Sequence, residues 1–118
     1  MRPLMGALAS ALLAGCSSVG EIRQTPPVLD LVSTRTPKVV AECIRDGWQS
    51  TQLIGGSIGG LLQTSGDRYT VLAPNAEMPW HLVDIDPTLT GSVVRYRFFR
   101  TWQSPSDRIS GVVKICVR

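Results

Sequence analysis

The chain has one histidine, three cysteines and only two lysines among its twelve basic residues. It contains no C-x-x-C, S-x-x-K or H-E-x-x-H, and no G-K-[ST] follows its glycines. These gaps exclude the common local signatures of dithiol redox centres, serine–lysine nucleophiles, zinc hydrolases and phosphate loops. The nine acidic residues are scattered, and nothing in their spacing sets two carboxylates across a scissile bond. The lone His81 sits in H-x-x-D-x-D with Asp84 and Asp86. In a strand, His81 would point to the face opposite both aspartates, so the three could not converge on a metal. The expectation for His81 is a surface position, with Asp84 and Asp86 forming a turn before Pro87. No long hydrophobic run is present either. Residues 4–15 give the longest apolar stretch, about 12 residues where a membrane span needs about 20. The net charge of +3 is too weak to argue nucleic-acid binding. The chain is therefore expected not to be an enzyme, to carry no cofactor or metal, and to bind no nucleic acid.

What is present begins at the N-terminus. Met1-Arg2 is a short basic start, and residues 4–15 consist only of Leu, Met, Ala, Gly and Ser. That is the layout of a secretory signal peptide. The run ends Leu13-Ala14-Gly15-Cys16, which resembles, at all four positions, the lipobox of bacterial lipoprotein precursors. The resemblance covers residues 1–16. It implies cleavage before Cys16 and lipid on the new N-terminal cysteine. Several acyl chains hold a protein where one alone anchors only marginally. Ser17 follows the cysteine, where an Asp would resemble an inner-membrane retention signal. The expected location is thus the cell envelope, lipid-anchored on the periplasmic face of the outer membrane.

Cleavage removes fifteen of the 118 residues and leaves 103, enough for one domain. Cys43 and Cys116 then remain in an oxidising compartment, where two cysteines in a small domain read as a disulfide. They lie 73 positions apart, and the chain-entropy model values such a loop at roughly 4 kcal/mol.

Three parts are expected along the chain: residues 1–15 as the signal, 16–35 as lipidated Cys16 and a tether, and 36–118 as a small domain. Residues 17–27 are polar and end in two prolines, while 28–35 read as a first strand or an extended lead-in. Thr36-Pro37 opens a helix, Thr as N-cap and Pro at the first helical position. Val40, Ile44 and Trp48 stack on one face beside Val39 and Cys43, and Gly47 is a weak spot where the helix could fray. The glycine-rich residues 55–60 overlap two G-x-x-x-G spacings in a stretch too short to span a bilayer. They read as a bent strand-and-loop region or as a loop touching a membrane or partner. Residues 68–73, 80–85, 92–102 and 111–117 read as strands. Val94, Tyr96 and Phe98 share one face and Arg95 and Arg97 the other, the alternation of a sheet with one wet face. A strand at 111–117 would set Cys116 on the face of Lys114, which requires a bulge or a snorkelling lysine. The fold expected is α+β: one N-terminal helix packed on a three- to four-stranded antiparallel sheet, closed by the disulfide.

Binding is the class left open. Arg95 and Arg97 on one sheet face, with Trp102 beyond, suit an anionic envelope polymer or an envelope protein. The alternative is a solvated face of long side chains. Separately, Ser65-Gly66-Asp67-Arg68-Tyr69 looks like the S-G-x-x-Y motif of membrane-bound C-type lysozyme inhibitors. In that family the loop bearing the motif enters the lysozyme cleft, which would make Ser65 and Tyr69 binding residues. The family's second, Lys-containing motif is not found, and the family is mainly β. Two functions follow as expectations: a non-catalytic structural or interaction lipoprotein, or an inhibitor acting through residues 65–69.

Overall fold

A computed structural model describes residues 18–54 and 56–118; the signal, the lipobox, Cys16 and Gly55 lie outside the described residues. In chain order the elements are α1 (Val19–Arg23), β1 (Leu29–Ser33), α2 (Pro37–Ser50), β2 (Gln52–Leu53), β3 (Gly56–Ser57), β4 (Leu61–Ser65), β5 (Arg68–Ala73), β6 (His81–Thr88), β7 (Gly91–Phe98) and α3 (Asp107–Cys116). The class is α+β. The sheet is antiparallel and five-stranded, in the order β1-β7-β6-β5-β4, rather than three- to four-stranded. β2 and β3 form a separate small hairpin.

Period-2 alternation sorts the side chains between two faces. Val71, Ala73, Val83, Ile85, Val94 and Tyr96 turn to one side, where they meet Val40, Ala41, Ile44 and Trp48 of α2 and Ile109, Val113 and Cys116 of α3. Leu72 and Leu82 turn to the other side and meet Ile22 of α1. Trp48 is fully buried, and its indole N–H donates to the Ile109 carbonyl at 3.1 Å, so the largest core side chain leaves no polar atom unpaired.

α2 starts where Thr36-Pro37 predicts, although the Thr36 side chain makes no capping bond. It does not fray at Gly47 but runs to Ser50. A Cβ at Gly47 would lie 2.5 Å from Val112 Cγ1, so the missing side chain lets α3 approach closely, and that packing offsets glycine's weak helix propensity.

The last element corrects the expectation most. Residues 111–117 are not a strand; they belong to α3. Ser106 caps it by accepting from the Arg108 amide at 3.2 Å, and Asp107 and Lys114 match the helix dipole at its two ends. Ile109, Val113 and Cys116 fall on one helical face, which places Cys116 in the core with Lys114 outside. Neither a bulge nor a snorkelling lysine is needed. Cys43 and Cys116 are bonded, with their Cα atoms 5.7 Å apart, inside the usual disulfide range. The staple therefore joins helix to helix, not helix to last strand.

The N-terminal side differs too. Residues 28–35 take the strand alternative, since β1 pairs with β7 from Leu29↔Tyr96 to Ser33↔Ser92. Within 17–27 the short helix α1 docks by Ile22, which is buried. The domain boundary drawn at residue 36 thus falls inside the fold. Strand β7 ends at Phe98 rather than Trp102, and β6 continues through Pro87, which pairs with Ser92. Pro87 is tolerated because β5 pairs with β6 only as far as Ile85, so no neighbour on that side requires its N–H.

Candidate functional site

At the end of the sheet where β5 and β7 finish and β6 begins, three connections converge: the β2–β3 hairpin, residues 74–80 and residues 99–106. They enclose an open cavity of about 420 Å³ lined by Leu53, Ile58, Trp80, His81, Phe98 and Phe99, with Ile109 beneath. This volume lies within the range of small-molecule sites, about 300–1,000 Å³. The hairpin is pinned. Gln49 Nε2 donates to the Gly60 carbonyl at 2.9 Å, and Ser57 Oγ donates to the Gln49 carbonyl at 2.7 Å, which hold the hairpin against the end of α2. A Cβ at Gly60 would meet the Arg45 carbonyl at 2.9 Å, so this approach requires glycine. Arg108 Nη1 donates to the Gln52 carbonyl at 2.9 Å and ties the hairpin to α3.

The aromatic wall follows from strand register. His81 and Phe98 are cross-strand partners, and their rings stack at 5.0 Å. Just beyond the ladder, the Trp80 amide donates to the Ala73 carbonyl and the Phe99 amide to the Trp80 carbonyl. Those two bonds set the Trp80 and Phe99 rings face to face at 5.5 Å. Arg100 lies over Phe99 at 5.0 Å and over Trp102 at 5.5 Å, cation–π distances that carry the surface out to the rim.

His81 is buried, not at the surface. Its Nδ1 and the Tyr96 hydroxyl share a 2.7 Å hydrogen bond, and Trp48 packs against the ring at 5.7 Å. Burial lowers the imidazole to about 4 and pushes the Tyr96 phenol up. At neutral pH the pair is an uncharged polar contact in an apolar wall. Such a group can orient a ligand by a hydrogen bond but holds no proton ready for release.

Asp84 and Asp86 lie on the opposite face, as the alternation requires. They are strand residues rather than turn residues, and each is taken by arginine. Arg23 of α1 grips Asp84 with Nε–Oδ2 and Nη2–Oδ1 bonds, both 2.9 Å. Thr70 Oγ1 donates to the same carboxylate at 2.8 Å. Arg68 grips Asp86 at 2.8 and 3.0 Å. Burial alone would raise the Asp84 carboxyl, but the hydrogen bonds from Arg23 and Thr70 and the charges of Arg23 and Arg68 outweigh it and hold it low. Among the described residues no three His, Cys, Asp or Glu side chains come together as a metal site.

The other predicted binding residues are placed as follows. Arg95 and Arg97 do share a face, in a recess of about 210 Å³ with Arg23, Arg68, Asp84 and Asp86. Arg97 is committed there, donating to the Thr25 carbonyl at 3.0 Å with Asp84 at 3.7 Å; Arg95 pairs loosely with Asp30 at 3.5 Å. Trp102 lies apart from them, exposed beside Arg100. Ser65 is exposed at the end of the β4–β5 hairpin, whereas Tyr69 packs against the core. Ser65 pairs with Arg68 and Thr64 with Tyr69, so Ser65 and Tyr69 point to opposite faces of the sheet. The cavity itself was invisible to sequence reasoning, because its lining comes from four separated stretches; the adjacent aromatics of residues 98–102 were its one local signal.

The chain matches no protein-family model, no curated protein and no solved structure.

Proposed function

We propose that this chain is a lipid-anchored envelope lipoprotein whose domain is a non-catalytic structural or interaction module facing the periplasm. The observation that carries the reading is Leu13-Ala14-Gly15-Cys16 at the end of a short apolar run, only two residues ahead of the capped helix α1. The disulfide supports it, since such bonds persist in oxidising compartments. So does the character of the site, where one buried, uncharged histidine faces an apolar cavity while the nearest carboxylates are neutralised across the sheet. On this reading cleavage frees Cys16, its acyl chains enter the membrane, and the domain contributes by being held there. The inhibitor reading receives less support, because Ser65 and Tyr69 do not share a surface.

Fractionation tests the proposal. The protein is expected in the membrane pellet, resistant to salt and released by detergent. A Cys16→Ala variant is expected to lose both cleavage and lipid. Recovery of the unaltered protein in the soluble fraction, with the same size as the variant, would sink the proposal.

A further inference from the structure

Ile54, Met78, Trp80 and Trp102 are large apolar side chains left exposed, Trp102 by 78% and Trp80 by 50%. They come from three connections far apart in sequence and meet at one end of the molecule. Ile54, Trp80 and Arg100 line the same cavity, Trp102 stacks on Arg100, and Met78 belongs to the Trp80 connection. Val32, Leu89 and Ile115 are exposed as well, on β1, the β6–β7 turn and α3, but none of them lines the cavity. A contiguous apolar patch of this kind marks a surface that meets something other than water.

The path of the chain says what that is. Ile22 of α1 packs with Leu72 and Leu82, and the same cluster takes Val19, Ala76 and Phe99. Ala76 belongs to the connection that bears Met78 and Trp80, and Phe99 lines the cavity. Helix α1 therefore begins at the patch end, with Ser18 as its cap. Cys16 is two residues earlier, and two residues span at most about 7 Å. Arg23 then locks α1 in place through its bidentate bond to Asp84.

The geometry points to the bilayer itself as the occupant: this end of the domain seats on the membrane that holds Cys16, with Ile54, Met78, Trp80 and Trp102 in the headgroup–acyl boundary. This placement rests on the lipid anchor proposed above. Tryptophan favours that boundary because its ring is apolar and its N–H is polar. Arg100, over the Trp102 ring, suits the same layer, with its stem among acyl chains and its guanidinium at the phosphates. The charged residues of the three connections and the start of α3 are Glu77, Arg100, Asp107 and Arg108, which cancel. Seating is thus apolar in origin and should not depend on anionic lipid.

The lipidated protein, in vesicles of zwitterionic phosphatidylcholine with plain or brominated acyl chains, tests this by tryptophan emission. Trp48 is sealed in the core and serves as an internal reference. Brominated chains should remove emission from Trp80 and Trp102. The double variant Trp80→Phe, Trp102→Phe, with unchanged circular dichroism, should lose the bromine-sensitive part. Lipid on Cys16 by mass, with equal emission in the two vesicles, overturns the placement alone, whether the patch then stays in water or is covered by a second copy seen as a dimer by light scattering. No lipid on Cys16 overturns the anchored reading and the placement with it.

Discussion

At the scale of single residues, His81 and Asp84 set two separate acid sensitivities. His81 is neutral and buried in the fold, with its ionisation lowered to about 4 from an ordinary 6.5. Between those values the unfolded chain binds a proton that the folded chain does not, so stability falls as pH drops from 6.5 toward 4. The full difference amounts to roughly 3 kcal/mol. Urea unfolding at several pH values should show this slope, and a His81→Gln variant should flatten it; equal slopes in the two proteins would refute the assignment. Asp84 is depressed instead, so what it contributes is present above the usual carboxylate range and is lost only below it. Its main partner can be removed directly. Arg23→Ala leaves a buried carboxylate with the Thr70 hydroxyl at 2.8 Å and the 3.7 Å contacts of Arg68 and Arg97. A loss of about 2 kcal/mol is expected, less than the 3–5 kcal/mol typical of a fully orphaned buried charge. Denaturant midpoints would check it. Neither burial could be read from the sequence, because Trp48 and Phe98 cover His81 from other elements, and Arg23 reaches Asp84 across 61 positions.

At the scale of elements, what was legible depended on whether local and tertiary signals agreed. Helix α2 was readable because Pro37 at its start and Val40, Ile44 and Trp48 at helical spacing say the same thing. Strand β7 was readable on both faces from its alternation alone. Helix α3 was misread because Val112, Val113 and Ile115 are β-branched and favour strands in isolation. Its Ser106 cap and the spacing of Ile109, Val113 and Cys116 were the overlooked evidence. Helix α1 has five residues, too few to form alone, and exists by docking Ile22 and Arg23. The α2–α3 contact can be probed at its tightest point. Gly47→Leu would drive a side chain into Val112 and should destabilise by about 1–3 kcal/mol, read as a lowered melting temperature. Stability unchanged by this substitution would mean that the helices are not in close contact there.

At the scale of the whole molecule, a disulfide joins the two longer helices, and the two ends of the sheet are unlike. Reduction of Cys43–Cys116 reopens a 73-residue separation and should cost up to roughly 4 kcal/mol, checked by unfolding with and without reductant. The aromatic end carries the cavity and the start of α1; the far end carries the β6–β7 turn. An anchor at Cys16 would therefore fix orientation as well as location. Orientation and location both depend on the anchor, and the intact mass of the protein purified from membranes tests it most directly. The account predicts a chain that begins at Cys16, carries added acyl mass on that residue, and weighs two hydrogens less than its reduced form. A chain that keeps Met1 and has no added mass would contradict it.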